Sequence, residues 1–196
     1  MEIKRIHKPD EKTIREISRI HYSVLTESFL NNFGLSFLEK VYTNLLESPD
    51  SILLVSEENE VITGYALAFT GYSKFFRTAI CNNRLALGTI VIKKILQKPS
   101  FVFKIASSLF NSTKEDGHAE LQFIAIIPES QGKNIGTRLI NLLNEEFRLK
   151  NITNYYVGTK AENPLSNQFY RKLGFKQIST KQYFGDKLNF YISPNI

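Results

Sequence analysis

Apolar positions along this chain follow two rhythms, one near 3.6 residues and one near 2, and the rhythm switches from segment to segment. "EIKRI" (2–6) reads as a short strand. "DEKTIREISRIHYSVLTESFL" (10–30) places Ile14, Ile17, Ile20, Val24 and Leu25 at helical spacing, with Asp10 as N-cap. A second helix is predicted over 35–48, with Leu38, Val41, Tyr42 and Leu45 on one face and Pro49 as its stop. "SILLVSE" (51–57) and "VITGYALAFTGY" (61–72) read as strands joined through Glu58-Asn59-Glu60 as a hairpin. "HAELQFIAIIP" (118–128) is a further strand, stopped by Pro128, on which Glu120, Gln122 and Ile124 are expected to share one face. The helix predicted over 135–150 buries Ile135, Leu139, Leu142, Leu143 and Phe147. "NYYVGTK" (154–160) is the next strand. "NPLSNQFYRKLG" (163–174) is a short helix with Asn163 as N-cap, Pro164 first and Gly174 as C-cap. "FKQISTKQYF" (175–184) and "KLNFYIS" (187–193) pair as a hairpin across Gly185-Asp186.

This order predicts an α/β fold around a mixed sheet. A ligand is expected at the C-terminal end of the strand that stops at Pro128, beside the start of the next helix. With 196 residues, no repeat, no low-complexity tract and no linker, the chain reads as a single domain, 1–196.

Charge changes the picture in one place. Residues 71–112 hold seven of the 25 basic residues (Lys74, Arg77, Arg84, Lys93, Lys94, Lys98, Lys104) and no acidic one. The remainder, 18 basic against 19 acidic, is near neutral, so the +6 excess sits in one segment. That segment reads as mostly helical and is split by Pro99. Phe75, Phe76, Phe101, Phe103 and Phe110 are interleaved with its cations. Three readings of it stay open: a solvated basic face, a wall that selects an anionic substrate, and a peripheral contact with an anionic membrane surface. An apolar contact there that builds a homodimer also stays open. Nucleic-acid binding is not expected, since no groove-reading helix or stacking motif stands out.

The single cysteine, Cys81, excludes an internal disulfide. His7, His21 and His118 lack zinc-ligand spacing, so no metal is expected. No secretory leader and no run of ~18 apolar residues is evident, so a cytoplasmic protein is expected.

The chemistry concentrates at "PESQGKNIGTRL" (128–139). A glycine-bearing loop that opens a helix can hold an anion on its backbone N–H groups. The loop lacks the Gly-Lys-Ser/Thr of nucleoside-triphosphate loops, and it has too few glycines for a dinucleotide fingerprint.

"IAIIPESQGKNIGTRLI", followed some thirty residues later by "NPLSNQFYRKLGFK", resembles the GCN5-related N-acetyltransferases. The family loop, Gln/Arg-x-x-Gly-x-Gly/Ala, is met by Gln131, Gly132, Lys133, Asn134, Ile135 and Gly136, with Asn134 where the family has its first glycine. Asn tolerates left-handed backbone, so the loop is expected to keep its shape. The second motif is met by Asn163, Ser166, Phe169, Tyr170, Gly174 and Phe175.

The resemblance implies a mixed, mostly antiparallel sheet of about seven strands with helices on both faces. The segment at about 73–112 would then be an insertion between the third and fourth strands. It also implies acetyl-CoA as co-substrate, held by Gln131, Gly132, Lys133, Asn134, Gly136 and Thr137 at its pyrophosphate. Ile124, Ile126 and Asn163 would hold its pantetheine arm. Tyr170 is the implied general acid, and Glu120 is the candidate base, with His118 a weaker substitute. Cys81 lies outside the motifs, so an acyl-cysteine route is not expected. The function implied is N-acetyl transfer to a primary amine of a small molecule, such as an amino sugar or nucleotide-linked amino sugar. A non-catalytic acyl-CoA-binding protein and a membrane-surface interaction protein stay open beside it.

Overall fold

The structure, a computed structural model, describes residues 1–71, 118–183 and 186–196. The helical insertion expected over 73–112, Cys81 included, lies outside the described residues. The chain runs through β1 (Glu2–Ile6), α1 (Glu11–Val24), a 3-10 turn at Phe29–Phe33, α2 (Leu35–Leu46), β2 (Ser51–Glu58) and β3 (Val61–Phe69). Beyond residue 117 come β4 (Glu120–Ile126), a 3-10 turn at Pro128–Ser130, α3 (Ile135–Arg148), β5 (Tyr156–Lys160), α4 (Pro164–Lys172), β6 (Lys176–Tyr183) and β7 (Asp186–Ile192).

Local chemistry sets most of these boundaries. The Asp10 side chain accepts from the Thr13 N–H at 2.7 Å and starts α1. That helix ends at Val24, short of the expected residue 30, because Asn31 Nδ2 binds the carbonyls of Tyr22 and Leu25 and turns the chain. Asn59 (φ 51) and Glu60 (φ 64) form the two-residue hairpin between β2 and β3.

The seven strands form one sheet in the order β1-β2-β3-β4-β5-β7-β6. Among the described strands only β4 and β5 run parallel; the other pairs are antiparallel. α1 and α2 cover one face, called front here, through Ile17, Leu38, Val41 and Tyr42 against Leu53, Val55, Tyr65 and Leu67. α3 covers the back face through Ile135, Leu139, Leu143 and Phe147, joined by Tyr170 of α4. Each such side chain contributes about 1.5–3 kcal/mol on burial. Ile140 belongs to the buried stripe of α3, whereas Leu142, expected there, is only partly buried.

Candidate active site

β4 carries one residue more than its partner needs. Leu67 pairs with Phe123 and Ala68 with Leu121, so Gln122 is a bulge. A bulge bends its strand, and here β4 leaves β5 at that point. The parallel ladder holds only Glu120↔Tyr156 and Leu121↔Val157. From Gln122 onward the sheet is open between β4 and β5.

The bulge also reverses which side chains face front. Ala119 and Leu121 pack in the back core, so Glu120 faces front. Past the bulge, Phe123 and Ala125 pack in the front core, while Ile124 and Ile126 join the back core. The expectation that Glu120, Gln122 and Ile124 share a face is therefore corrected: Ile124 lies opposite Glu120.

The backbone of β4 presents donors to the opening. Ile127 N–H donates to Thr63 O of β3 at 2.9 Å. Backbone groups alternate along a strand, so the N–H and C=O of Ile124 and Ile126 point away from β3, toward the gap. The Ile126 carbonyl there accepts from Gln131 Nε2 at 3.0 Å. Gln131 thus spends its side chain on holding the loop to the strand end.

Beyond that bond the loop has the geometry of an anion cradle. Gly132 (φ 76) and Asn134 (φ 58) both take left-handed backbone, so Asn134 fills the family's glycine position as expected. Among the described residues, no acceptor meets the N–H groups of Gly132 to Thr137. Asn134 makes no side-chain cap, and the first turn of α3 has no acidic residue. Six consecutive free amides at a helix start fit a pyrophosphate. A Cβ at Gly132 would meet nothing within 4 Å, so the loop is open to a ligand. At Gly136 a Cβ would lie 3.2 Å from the Phe169 ring and 3.4 Å from Ile126 Cδ1, so its small size serves the packing of α3 on α4 and β4. Gly136→Leu should therefore cost about 1–3 kcal/mol of folding stability by overpacking, measured by urea denaturation.

Two ionisable groups flank the opening from opposite faces. Glu120, half-buried at the front, has no hydrogen-bond or ion-pair partner among the described residues, and burial pushes its carboxyl up to about 8. Tyr170, buried at the back, packs edge-on against Phe169 and Phe175, and burial pushes its phenol well above its ordinary value. Its hydroxyl makes no hydrogen bond among the described residues. His118 is exposed and packs edge-on against Tyr156.

At the C-terminal end of β5, Asn163 caps α4, its Oδ1 accepting from Ser166 N–H at 3.0 Å. Its Nδ2 makes no hydrogen bond among the described residues.

Two residues, Asn167 and Lys160, were not singled out in the sequence, and the bulge that sets Gln122 apart was not foreseen. Asn167 Nδ2 holds the Lys160 carbonyl at 2.8 Å, while its Oδ1 accepts from Asn189 Nδ2 at 2.8 Å and Tyr191 Oη at 2.7 Å. This hub ties α4 to β5 and β7, and so fixes the far wall of the opening. Gln122 Oε1 is buried without a hydrogen-bond partner. Lys160 Nζ reaches Glu27 at 3.3 Å and Asp186 at 3.0 Å. No local periodicity announces Asn167, Lys160 or the bulge. A second Asn inside the Asn163 motif was the one available signal.

Among the described residues, no group of three His, Cys, Asp or Glu side chains could hold a metal ion, and no helix is long and apolar enough to cross a membrane.

Solved structures share this architecture. A GNAT-family protein from Desulfovibrio desulfuricans superposes with a TM-score of 0.64 at 14% identity, over 98% of this chain and 98% of that one. The ribosomal-protein-S18-alanine N-acetyltransferase from Escherichia coli gives 0.62 at 12% identity, over 99% and 94%. An N-acetyltransferase from Staphylococcus aureus gives 0.60 at 14% identity, over 99% and 99%. At these identities the likeness speaks for the fold. No curated protein matches the sequence significantly. The model of the acetyltransferase (GNAT) family matches residues 20–175, a span that includes the bulged strand, the anion cradle and the helix of Tyr170, and the chain belongs to that family.

Proposed function

We propose that the protein transfers the acetyl group of acetyl-CoA to a primary amine of a small molecule, with amino sugars and nucleotide-linked amino sugars as the acceptors to try first. The observation that carries this reading is the opening of β4 from β5 beyond Leu121. It leaves strand amides unspent beside a helix start whose own amides are also unspent.

Bound acetyl-CoA supplies an activated thioester. The chain's residues do the rest. The amides from Gly132 to Thr137 hold the pyrophosphate, with Lys133 exposed at the rim. The backbone groups of Ile124 and Ile126 and the Nδ2 of Asn163 hold the pantetheine arm. The Ile126 N–H donates to the acetyl oxygen. An amine of pKa near ~10 arrives mostly protonated, and Glu120 takes the proton its nitrogen must lose before attack. A carboxyl poised at about 8 is a far stronger base than a solvated one once ionised. The new N–C bond forms as the C–S bond breaks. Tyr170, kept protonated by burial until then, gives its Oη proton to the departing sulfur and regains one from solvent, while the nitrogen sheds its second proton to water.

Base and acid stand on opposite faces of the sheet, which supports acceptor entry from the front and coenzyme entry from the back. Tyr170→Phe should lower kcat about tenfold, the worth of one hydrogen bond to a charged group. Its melting temperature should hardly move, since the hydroxyl has no partner among the described residues. Full activity in that variant would remove the role.

The reading is tested by calorimetry with acetyl-CoA, followed by thiol release against an amine panel weighted toward nucleotide-linked amino sugars. Binding with turnover of one amine is expected. Binding without turnover across the panel would leave a coenzyme-binding protein without catalysis. Absence of binding would overturn the reading altogether.

A further inference from the structure

The front of the opening is bridged by one ionic knot. Lys160, at the end of β5, is shared between Glu27, in the connection from α1 to α2, and Asp186, at the start of β7. Glu27 comes from the β4 side of the opening, because its neighbour Ser28 binds His21 Nε2 at 2.8 Å, and His21 packs on Phe123 of β4 at 4.8 Å between ring centroids. The Glu27–Lys160 pair therefore spans the gap. Val157 packs in the back core, so by alternation Lys160 faces front, as Glu120 does. At Gly158, between Tyr156 and Lys160, the ring of Phe190 from β7 lies over the wall, 3.3 Å from where a Cβ would sit.

The three members of the knot are not equivalent. Lys160 and Asp186 sit on neighbouring strands, and the Lys160 side chain is 28% exposed. The Glu27 side chain is 72% exposed and regains hydration readily when it leaves. Beside Lys160 lies a cavity of about 260 Å³, lined also by Glu162, Gln182, Asp186 and Lys187. Without Glu27 the charges of that lining balance, two cations against two anions. The position Glu27 vacates thus suits one added anion.

We propose that Lys160 selects the acceptor: it takes an anionic group of the amine substrate, carboxylate or phosphate, in place of Glu27. The inference rests on the acetyltransferase reading, which puts the amine end at Glu120. The buried Gln122 Oε1 in the same bulge lacks a donor, and an amine N–H supplies one. Lys160 lies four residues beyond Tyr156, the register partner of Glu120. At ~3.3 Å per residue that is about 13 Å, and the reach of the two side chains reduces it to a span of roughly 5–10 Å. α-Amino acids are too short for this. A chain or sugar ring between amine and anion fits.

The test compares 6-aminohexanoate (carboxylate) and a nucleotide-linked amino sugar (phosphate) with hexylamine (no anion) and 1,6-diaminohexane (a second cation). Wild type should prefer at least one anionic probe in kcat/KM. Lys160→Met should cut the ratio of that probe to hexylamine about tenfold, as expected for one charge-assisted hydrogen bond, through KM rather than kcat. Lys160→Arg should restore it, and Glu27→Gln should lower the KM of the anionic probe. A purely structural Lys160 would depress all probes together with the melting temperature. An unchanged ratio in Lys160→Met, or preference for hexylamine or the diamine, overturns the proposal and leaves the enzyme reading standing. Calorimetry on the CoA-bound protein decides the case without turnover. Anion-selective binding lost in Lys160→Met supports Lys160 even where catalysis fails, and no binding by either anionic probe overturns it.

Discussion

Glu120→Gln should lose about 100- to 1,000-fold in kcat/KM and yet be more stable than wild type at alkaline pH. The loss follows from removing the proposed proton acceptor, since a positioned general base is worth roughly 10²–10⁴ in rate. The wild-type rate should rise with pH and level off above about 8, as the carboxyl ionises. The glutamine variant should lack that limb. The stability effect has the opposite sign. Burial raises the folded-state pKa to about 8 from an unfolded value of 4.5. Between those values the unfolded chain releases its proton and the folded chain keeps it, so stability falls as pH rises through the window. Glutamine carries no such penalty. The two proteins should melt together at pH 4 and diverge by pH 9, with the variant the more stable. Equal melting at both pH values would mean that Glu120 is solvated, and an unaltered pH–rate profile would end its role as base.

Thr137→Glu should weaken acetyl-CoA binding by about 100-fold while leaving α3 as stable as before or more so. The first turn of α3 has no acidic residue, and its amides have no acceptor among the described residues. A carboxylate there complements the helix dipole and is worth about 0.3–1 kcal/mol to the helix. It also occupies the donors and repels the phosphates, and two like charges at close range in a partly desolvated site cost about 2–3 kcal/mol, or a factor near 100. Calorimetry reads the first effect and thermal melting the second. Unchanged affinity would mean that the loop is only a turn. In both variants the wild-type residue leaves stability unused, which is where function is expected to sit.

Much of this site was legible because its signals are local. Asp10 and Asn163 cap the helices they were expected to cap, since a side chain three residues from its amide needs nothing else. The left-handed Asn134 could be anticipated from its own chemistry. The strands stood out by period and by their flanking turns, and the seven-stranded sheet follows from them together with the family resemblance.

The misreadings share one cause. Strict alternation put Ile124 beside Glu120, but the bulge at Gln122 exists only relative to β3, and no property of "ELQFIAI" alone reveals it. The α1 end was overestimated because Asn31, well along the chain, takes the carbonyls that a longer helix would have used. Why Gly136 must be small is also decided at a distance, since only the position of the Phe169 ring shows that a Cβ there would meet α4.

The sequence by itself determined the elements, the caps and the left-handed turn of the loop that opens α3, because each depends on neighbours within one turn of chain. The tertiary structure decided where the sheet opens, which faces Glu120 and Tyr170 occupy, and that Glu27, Lys160 and Asp186 meet across the gap. Those facts depend on register and approach between segments far apart in the chain. A period in one segment carries no information about the offset of another, so they exist only once the sheet is assembled.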